Sequence, residues 1–290
     1  MRDQAEKLRM KMLENVGSLG RSIAVVSGKG GVGKSNFTTN FAVLLANIGK
    51  KVVVLDMDIG MGNVNILIGK TAHYNLIDYL EGRSTLDQII QDGPNDLKYI
   101  SGGSGLSTIV QWSAKMFESL IEAFETLQKS YDYILFDMGA GATNWSLDLL
   151  TSVDEIIVIS TTEPTSVTDA YSMMKFIYLR DASKKFYLVV NRTYSLEEGK
   201  DTVGRLQSTM KKFLHKEVNV LGSLPEDASV RKAVIEQIPF SIAYPNAPIT
   251  KTLGEIVNRF VHHQTEEVYA HEKPTSFLNK LRSIFSKGSV

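Results

Sequence analysis

Short, continuously apolar runs punctuate this chain, and segments with a helical hydrophobic period fill the gaps between them. The runs are residues 22–27 (SIAVVS), 51–56 (KVVVLD), 133–137 (YILFD), 155–160 (EIIVIS) and 186–191 (FYLVVN). Each is too short for a helix and too uniformly apolar for a strand with one wet face, so each reads as a strand buried on both faces. Residues 35–48, 114–129, 167–179 and 197–213 repeat apolar positions near a period of 3.6 and read as helices. A weaker strand is expected at 219–221, and two more helices at 227–236 and 248–263. Strand–helix–strand repetition implies an α/β fold, a mostly parallel sheet flanked by helices on both faces.

The ends of the chain break this rhythm. Residues 1–20 are polar and helix-prone and close on Gly17, Ser18, Leu19 and Gly20. Residues 264–276 are polar, carry Pro274 and read as a linker, and residues 277–287 recover an apolar pattern. The expected organisation is therefore an N-terminal segment (1–20), a core domain (21–263), a linker (264–276) and a C-terminal helix (277–287).

Composition narrows the function classes. The 290 residues carry 32 Lys plus Arg against 32 Asp plus Glu, a formal charge of zero. That balance offers no whole-surface basic field and argues against nucleic acid as a partner. Cysteine is absent, which excludes disulfides, thiolate nucleophiles and cysteine-held zinc or iron–sulfur sites. No apolar run reaches the roughly 18 residues that a membrane-spanning helix needs. With no signal-peptide pattern at the N-terminus, a cytoplasmic protein is expected.

The first strand leads into Gly28, Lys29, Gly30, Gly31, Val32, Gly33, Lys34 and Ser35, followed by Asn36 at the start of a helix. This is G-x-x-x-x-G-K-[ST] between a strand and a helix, the setting of a phosphate-binding P-loop. Its glycines let backbone N–H groups converge on an anion, and the helix N-terminus adds partial positive charge. Lys34 then reaches β- and γ-phosphates, and the Ser35 hydroxyl ligates Mg²⁺. Asp56 and Asp58 end the second strand, at the sheet edge where ligands bind in such folds. Residues two apart on a strand share a face, so both carboxylates are expected to approach one Mg–phosphate site. Asp137 ends a fully apolar strand and suits Mg²⁺, through water. Gly139 and Gly141 behind it allow the backbone to approach a γ-phosphate as a switch loop.

Lys29 is one lysine more than a P-loop requires. With it, the loop resembles the deviant Walker A motif of the MinD/ParA ATPases, and the D-x-D-x-G string at 56–60 resembles the same family. The resemblance covers about residues 22–263 and implies ATP, ADP and Mg²⁺ as ligands. It also implies a face-to-face homodimer in ATP, in which Lys29 crosses to the partner's nucleotide. By the same resemblance Asp58 orients the attacking water, and Asp56 supports the metal's water shell. Asn191 and Arg192 resemble the family's base-recognition pair, and the segment with Pro225 and Asp227 resembles its second base-binding loop. Gly139 stands where many members carry proline, a departure that loosens the switch loop.

Two end segments resemble one branch of that family, the flagellar-number regulators FlhG (also called FleN or YlxH). Asp3, Gln4, Ala5, Leu8 and Arg9 lie in DQAEKLR, similar to the element with which that branch activates the GTPase FlhF. Here Ala5, Leu8, Met12 and Leu13 share a helical face, Asp3 can cap it, and Gln4 and Arg9 project. At the other end Phe277, Leu278, Leu281, Ile284 and Phe285 share a helical face, with Lys280, Arg282 and Lys287 around it. That pattern fits an interfacial helix on an anionic membrane surface and resembles the membrane-targeting tail of the family. A terminal helix docked on the core has the same pattern, and the two can alternate with nucleotide state. The resemblance thus implies an ATP-hydrolysing switch peripheral to the inner face of the cell membrane. It would act with FlhF and flagellar basal-body components to set flagellar placement and number. A positioning ATPase for division or DNA cargo, and a nucleotide-dependent scaffold with negligible hydrolysis, remain the alternatives.

Overall fold

Eight strands build one sheet in a computed structural model that describes residues 19–58, 62–103, 113–139, 141, 143–268 and 277–287. The strands are β1 (Arg21–Val26), β2 (Val52–Met57), β3 (Gln91–Asp92), β4 (Lys98–Ile100), β5 (Tyr133–Met138), β6 (Glu155–Thr161), β7 (Lys185–Thr193) and β8 (Asn219–Pro225). Their order is β3-β4-β2-β5-β1-β6-β7-β8, parallel throughout except for the β3–β4 pair. Every residue of β2, β5 and β6 is buried, which is why those strands read as uninterrupted apolar runs.

The helices are α1 (Lys34–Asn47), α2 (Val64–Leu67), α3 (Leu76–Leu80), α4 (Leu86–Ile89), α5 (Ala114–Ser130), α6 (Asn144–Ser152), α7 (Pro164–Arg180), α8 (Leu196–Leu214), α9 (Ala228–Glu236), α10 (Phe240–Ala243), α11 (Pro248–Val268) and α12 (Phe277–Lys287). Strand side chains alternate between two cores: Ile23 and Val25 join the layer with α1, α10 and α11, while Ala24 and Val26 join the layer with α5, α7 and α8. Local chemistry sets several boundaries. Pro164 opens α7, where its missing N–H costs nothing. Ser195 caps α8 by accepting from the Glu198 N–H, and Glu197 and Glu198 against Lys211 and Lys212 complement the helix dipole.

The sheet and the main helices agree with the hydrophobic pattern, which implied this mostly parallel α/β architecture. The pattern missed the edge strand β3, its neighbour β4 and the short helices α2, α3, α4, α6 and α10. Strands of two and three residues hold no period to read. Helix α6, nine residues long, starts from a reciprocal Thr143–Ser146 cap.

The C-terminal helix α12 packs on the protein. Phe277, Leu278 and Leu281 are buried, and the Phe277 ring lies 5.4 Å from Phe124 and 5.9 Å from Phe136. Charged pairs ring the contact, Lys280 with Asp181 at 3.7 Å and Arg282 with Glu125. Below them Lys184 is buried, and its ammonium is pushed down to about 8 by burial and by the charge of Lys280. Of the two places that the apolar stripe suits, membrane and core, these three residues occupy the core. The side chains of Ile284 and Phe285 lie outside the described residues, as do Asp3, Gln4, Ala5, Leu8 and Arg9. No described helix is long and apolar enough to cross a membrane.

Candidate nucleotide site

The loop after β1 folds as its glycines demand. Gly31 and Gly33 adopt left-handed backbones, φ 79° and 91°, and a β-carbon on Gly33 would lie 2.4 Å from Nδ2 of Asn191. The Ser27 hydroxyl donates to the Lys29 carbonyl at 2.9 Å and stiffens the loop. Helix α1 starts immediately after Gly33 with no side-chain cap, so its first N–H groups are available to an anion. Gly30, Gly31, Ser35 and Asn36 line a cleft of about 350 Å³ together with Lys29, Lys34, Asp58, Asn63, Arg192 and the apolar Ile66 and Val234. Gly28 stands behind it, packed so closely on α7 that a β-carbon would lie 2.1 Å from the Asp169 carbonyl oxygen.

Charge is buried beneath this loop. The Lys34 ammonium donates to Oδ1 of Asp137 at 2.9 Å, and the Thr38 hydroxyl lies 3.2 Å from the same oxygen. Asp137 is wholly buried, and its Oδ2 has no hydrogen-bond partner among the described residues. The register of β2 against β5 sets Asp56 beside Asp137. Burial, and then the Asp137 charge, push the Asp56 carboxyl up to about 6.

The expectation that Asp56 and Asp58 share a strand face is corrected by where the strand ends. Strand β2 stops at Met57, so the period of two no longer governs Asp58. Asp58 lines the cleft, whereas Asp56 turns inward and accepts from the N–H groups of Asp58 and Val64, both at 3.1 Å. Asp56 thus anchors the loop that carries Asp58 and the first turn of α2. Gly139 faces Asp58: a β-carbon there would lie 3.2 Å from Oδ1 of Asp58. Gly141, φ 94°, is a left-handed turn residue with open space around it.

Asn191 and Arg192 separate in role. The buried Asn191 amide donates to the Val32 carbonyl at 2.8 Å and braces the phosphate loop. Arg192, in a left-handed backbone of φ 59°, reaches the cleft, with Nε 3.6 Å from Oε2 of Glu226. Pro225 ends β8 and Asp227 caps α9 by accepting from the Ser229 N–H at 2.9 Å, and neither lines the cleft. The sequence reading missed Thr38, one helical turn beyond Lys34, and the pair that meets Lys29. The Lys29 ammonium lies 2.8 Å from Oε2 of Glu163 and 3.2 Å from the Thr165 hydroxyl. The only available signal for that pair was Glu163-Pro164-Thr165 closing β6 and opening α7.

These residues fit a nucleotide with Mg²⁺. Asp137 offers an unsatisfied buried oxygen, and Ser35 stands in the cleft. Among the described residues no three His, Asp or Glu side chains cluster as a metal cage. Ser35 and Asp137 would hold the cation, with phosphate and water oxygens completing its shell as is usual for Mg²⁺.

Comparison with known proteins finds relatives over most of the chain. The family model described as ParA, NUBPL iron-transfer P-loop NTPase, matches residues 18–261. The antiactivator FleN of Pseudomonas aeruginosa is 34% identical over 225 residues, 78% of this chain and 80% of FleN. The flagellum site-determining protein YlxH of Helicobacter pylori is 31% identical over 242 residues, 82% of this chain and 81% of YlxH. The septum site-determining protein MinD of Pyrococcus horikoshii, solved in complex with Mg-ADP, superposes with a TM-score of 0.68 over 83% of this chain and 96% of its own, at 24% identity. On the loop geometry and these matches together, the chain belongs to the ParA family of P-loop NTPases.

Proposed function

We propose that this chain is an ATP-hydrolysing, dimerising switch that controls flagellar placement and number. The observation that carries the reading is Lys29: a second loop lysine at the mouth of the cleft, half-exposed and held on the rim while Lys34 lies buried on Asp137. In this reading Lys34 serves the phosphates of its own protomer, and Lys29, on the rim, serves those of a second copy. The exposed apolar side chains Ile66 and Val234 on the cleft lining suit a face-to-face contact. The likeness to FleN and YlxH supports the flagellar assignment.

In this reading the phosphate loop and Lys34 hold the β- and γ-phosphates, and Ser35 and Asp137 hold Mg²⁺. The metal, when bound, neutralises charge on the phosphates. Asp58 orients water, with Gly139 leaving room for its carboxylate, and Lys29 adds charge stabilisation across the dimer. Arg192 and the 225–227 segment border the base. Release of α12 from Phe124 and Phe136 would free Phe277, Leu278 and Leu281 for an anionic membrane. Two tails on one dimer bind a surface far better than one. Residues 1–20 would stimulate FlhF, and basal-body components would be further partners.

The test is GTP turnover by FlhF with the full chain and with residues 1–20 removed. The reading expects stimulation by the full chain and none by the truncated one, with ATP turnover by this chain retained in both. Equal stimulation would remove the activator assignment, and absent ATP turnover would leave a nucleotide-dependent scaffold.

A further inference from the structure

The Asp137 carboxylate is held at one oxygen. The Lys34 ammonium reaches Oδ1 at 2.9 Å and the Thr38 hydroxyl reaches the same Oδ1 at 3.2 Å, while Oδ2 is buried and takes no donor among the described residues. Lys34 and Thr38 stand four residues apart in α1, so they share the face of that helix that meets the end of β5. The two donors differ in what they can do next. Lys34 is a long cation, and a bound phosphate draws it away. Thr38 is short, neutral and wholly buried, so its hydroxyl stays where α1 puts it. That hydroxyl has one proton and lies 3.0 Å from the Lys34 carbonyl as well. The carbonyl already accepts a backbone N–H of the helix, whereas an ionised carboxylate is the stronger acceptor, so the proton belongs on Asp137.

We infer that Thr38 is a positioning residue for the cation: its hydroxyl pins Oδ1 of Asp137, leaves Oδ2 for Mg²⁺ or a water of its shell, and keeps that orientation once Lys34 has turned to the phosphates. The inference rests on the nucleotide reading above and adds to it the group that orients the metal-binding carboxylate. A carboxylate bonded through neither oxygen can turn about its Cβ–Cγ bond, and the two oxygens then exchange places. A carboxylate pinned at one oxygen offers the other in a fixed direction. Hydrogen-bonding partners of this kind, standing behind a metal ligand, usually carry about 10- to 100-fold in metal affinity. Thr38 touches neither nucleotide nor cation in this account, and it acts only through Asp137. Its other bond, to the Lys34 carbonyl, tightens the first turn of α1 and gives no reason for a dependence on Mg²⁺.

The experiment measures binding of a fluorescent ADP (the N-methylanthraniloyl derivative), first in EDTA and then titrated with Mg²⁺, for the unmodified protein, Thr38→Val and Thr38→Ser. Valine keeps the shape of the side chain and removes the hydroxyl. In Thr38→Val the Mg²⁺ midpoint should rise about tenfold, while the ADP dissociation constant in EDTA stays near that of the unmodified protein. Thr38→Ser, which restores the hydroxyl, should bring the midpoint back. Thr38→Ala lacks the hydroxyl too and carries the same prediction, so a valine variant that does not fold leaves the test intact. An unchanged Mg²⁺ midpoint overturns the inference. An equal loss of ADP affinity with and without Mg²⁺ overturns it as well, and would leave Thr38 a part in the packing of α1 alone. If the unmodified chain binds no ADP, the nucleotide reading fails and the inference falls with it.

Discussion

Adjacent residues of β5 serve two sites built in opposite ways. Asp137 points into the phosphate site, fully buried, with one oxygen on Lys34 and the other without a partner among the described residues. Phe136 points to the other face and packs on Phe277 of α12 at 5.9 Å. At the first site charge is enclosed and left incomplete, so Asp56 is pushed up to about 6. At the second, apolar rings are enclosed and the charges of Lys280, Arg282, Asp181 and Glu125 stay on the rim. The first site is costly until a charged ligand completes it. The second is satisfied already and small enough to come apart. The difference separates a region tuned for a ligand from a region tuned for reversible packing.

The sharpest contrast lies in the rings. Phe136→Ala should cost about 3–5 kcal/mol, because the core cannot close around the cavity. Phe277→Ala should cost less, because α12 can detach and cap the loss. Thermal melting read beside the rate of tryptic removal of the tail checks this. Equal melting shifts, with a tail that stays resistant, would break the comparison.

The phosphate site should announce its enclosed charge through pH. The Asp56 carboxyl is raised from 3.8 to about 6, so the folded form keeps its proton over that window. Its contribution to stability is complete below about 4, declines as pH rises through about 6, and amounts to about 3 kcal/mol. Denaturant midpoints from pH 4 to 7 should therefore fall in the unmodified protein relative to Asp56→Ala. Parallel profiles would contradict the burial argument.

Asp58→Ala should lower ATP turnover about 100-fold while nucleotide still binds, since Asp58 lines the cleft but makes no part of the loop under the phosphates. Turnover at the unmodified rate would move the water-orienting role elsewhere. The smallest effect is expected at the rim. Glu125→Gln removes the partner of Arg282 and leaves the tail's own chemistry intact. Binding to anionic vesicles should rise by no more than about fivefold, as for other partly exposed ion pairs. A much larger rise would mean that charge, rather than Phe277 and Leu281, holds the tail.

Most of the sheet and the whole phosphate loop were legible in the chain, because strands buried on both faces leave unbroken apolar runs and G-x-x-x-x-G-K-[ST] has few other uses. Strand β4 was not, since Lys98–Ile100 is too short to show a period. Asp56 and Asp58 misled through the same rule that located them: alternation holds only inside a strand, and β2 ends between them. Asn191 was legible as a strand-end residue, but its bond to the Val32 carbonyl depends on β7 lying within reach of the loop. Glu163 and Thr165 were invisible because their partner Lys29 is more than 130 residues away. For α12 the apolar stripe was plain, but a stripe cannot say whether lipid or Phe124 covers it.

The central claim is that ATP joins two copies of this chain through their phosphate sites. Light scattering of the purified protein in Mg-ADP and in Mg-ATP, with Asp58→Ala to slow turnover, tests it most directly. The account expects 32.2 kDa in Mg-ADP and a doubling of that mass in Mg-ATP, with the doubling lost in Lys29→Ala. A mass that stays at 32.2 kDa in Mg-ATP while the nucleotide is bound would contradict it.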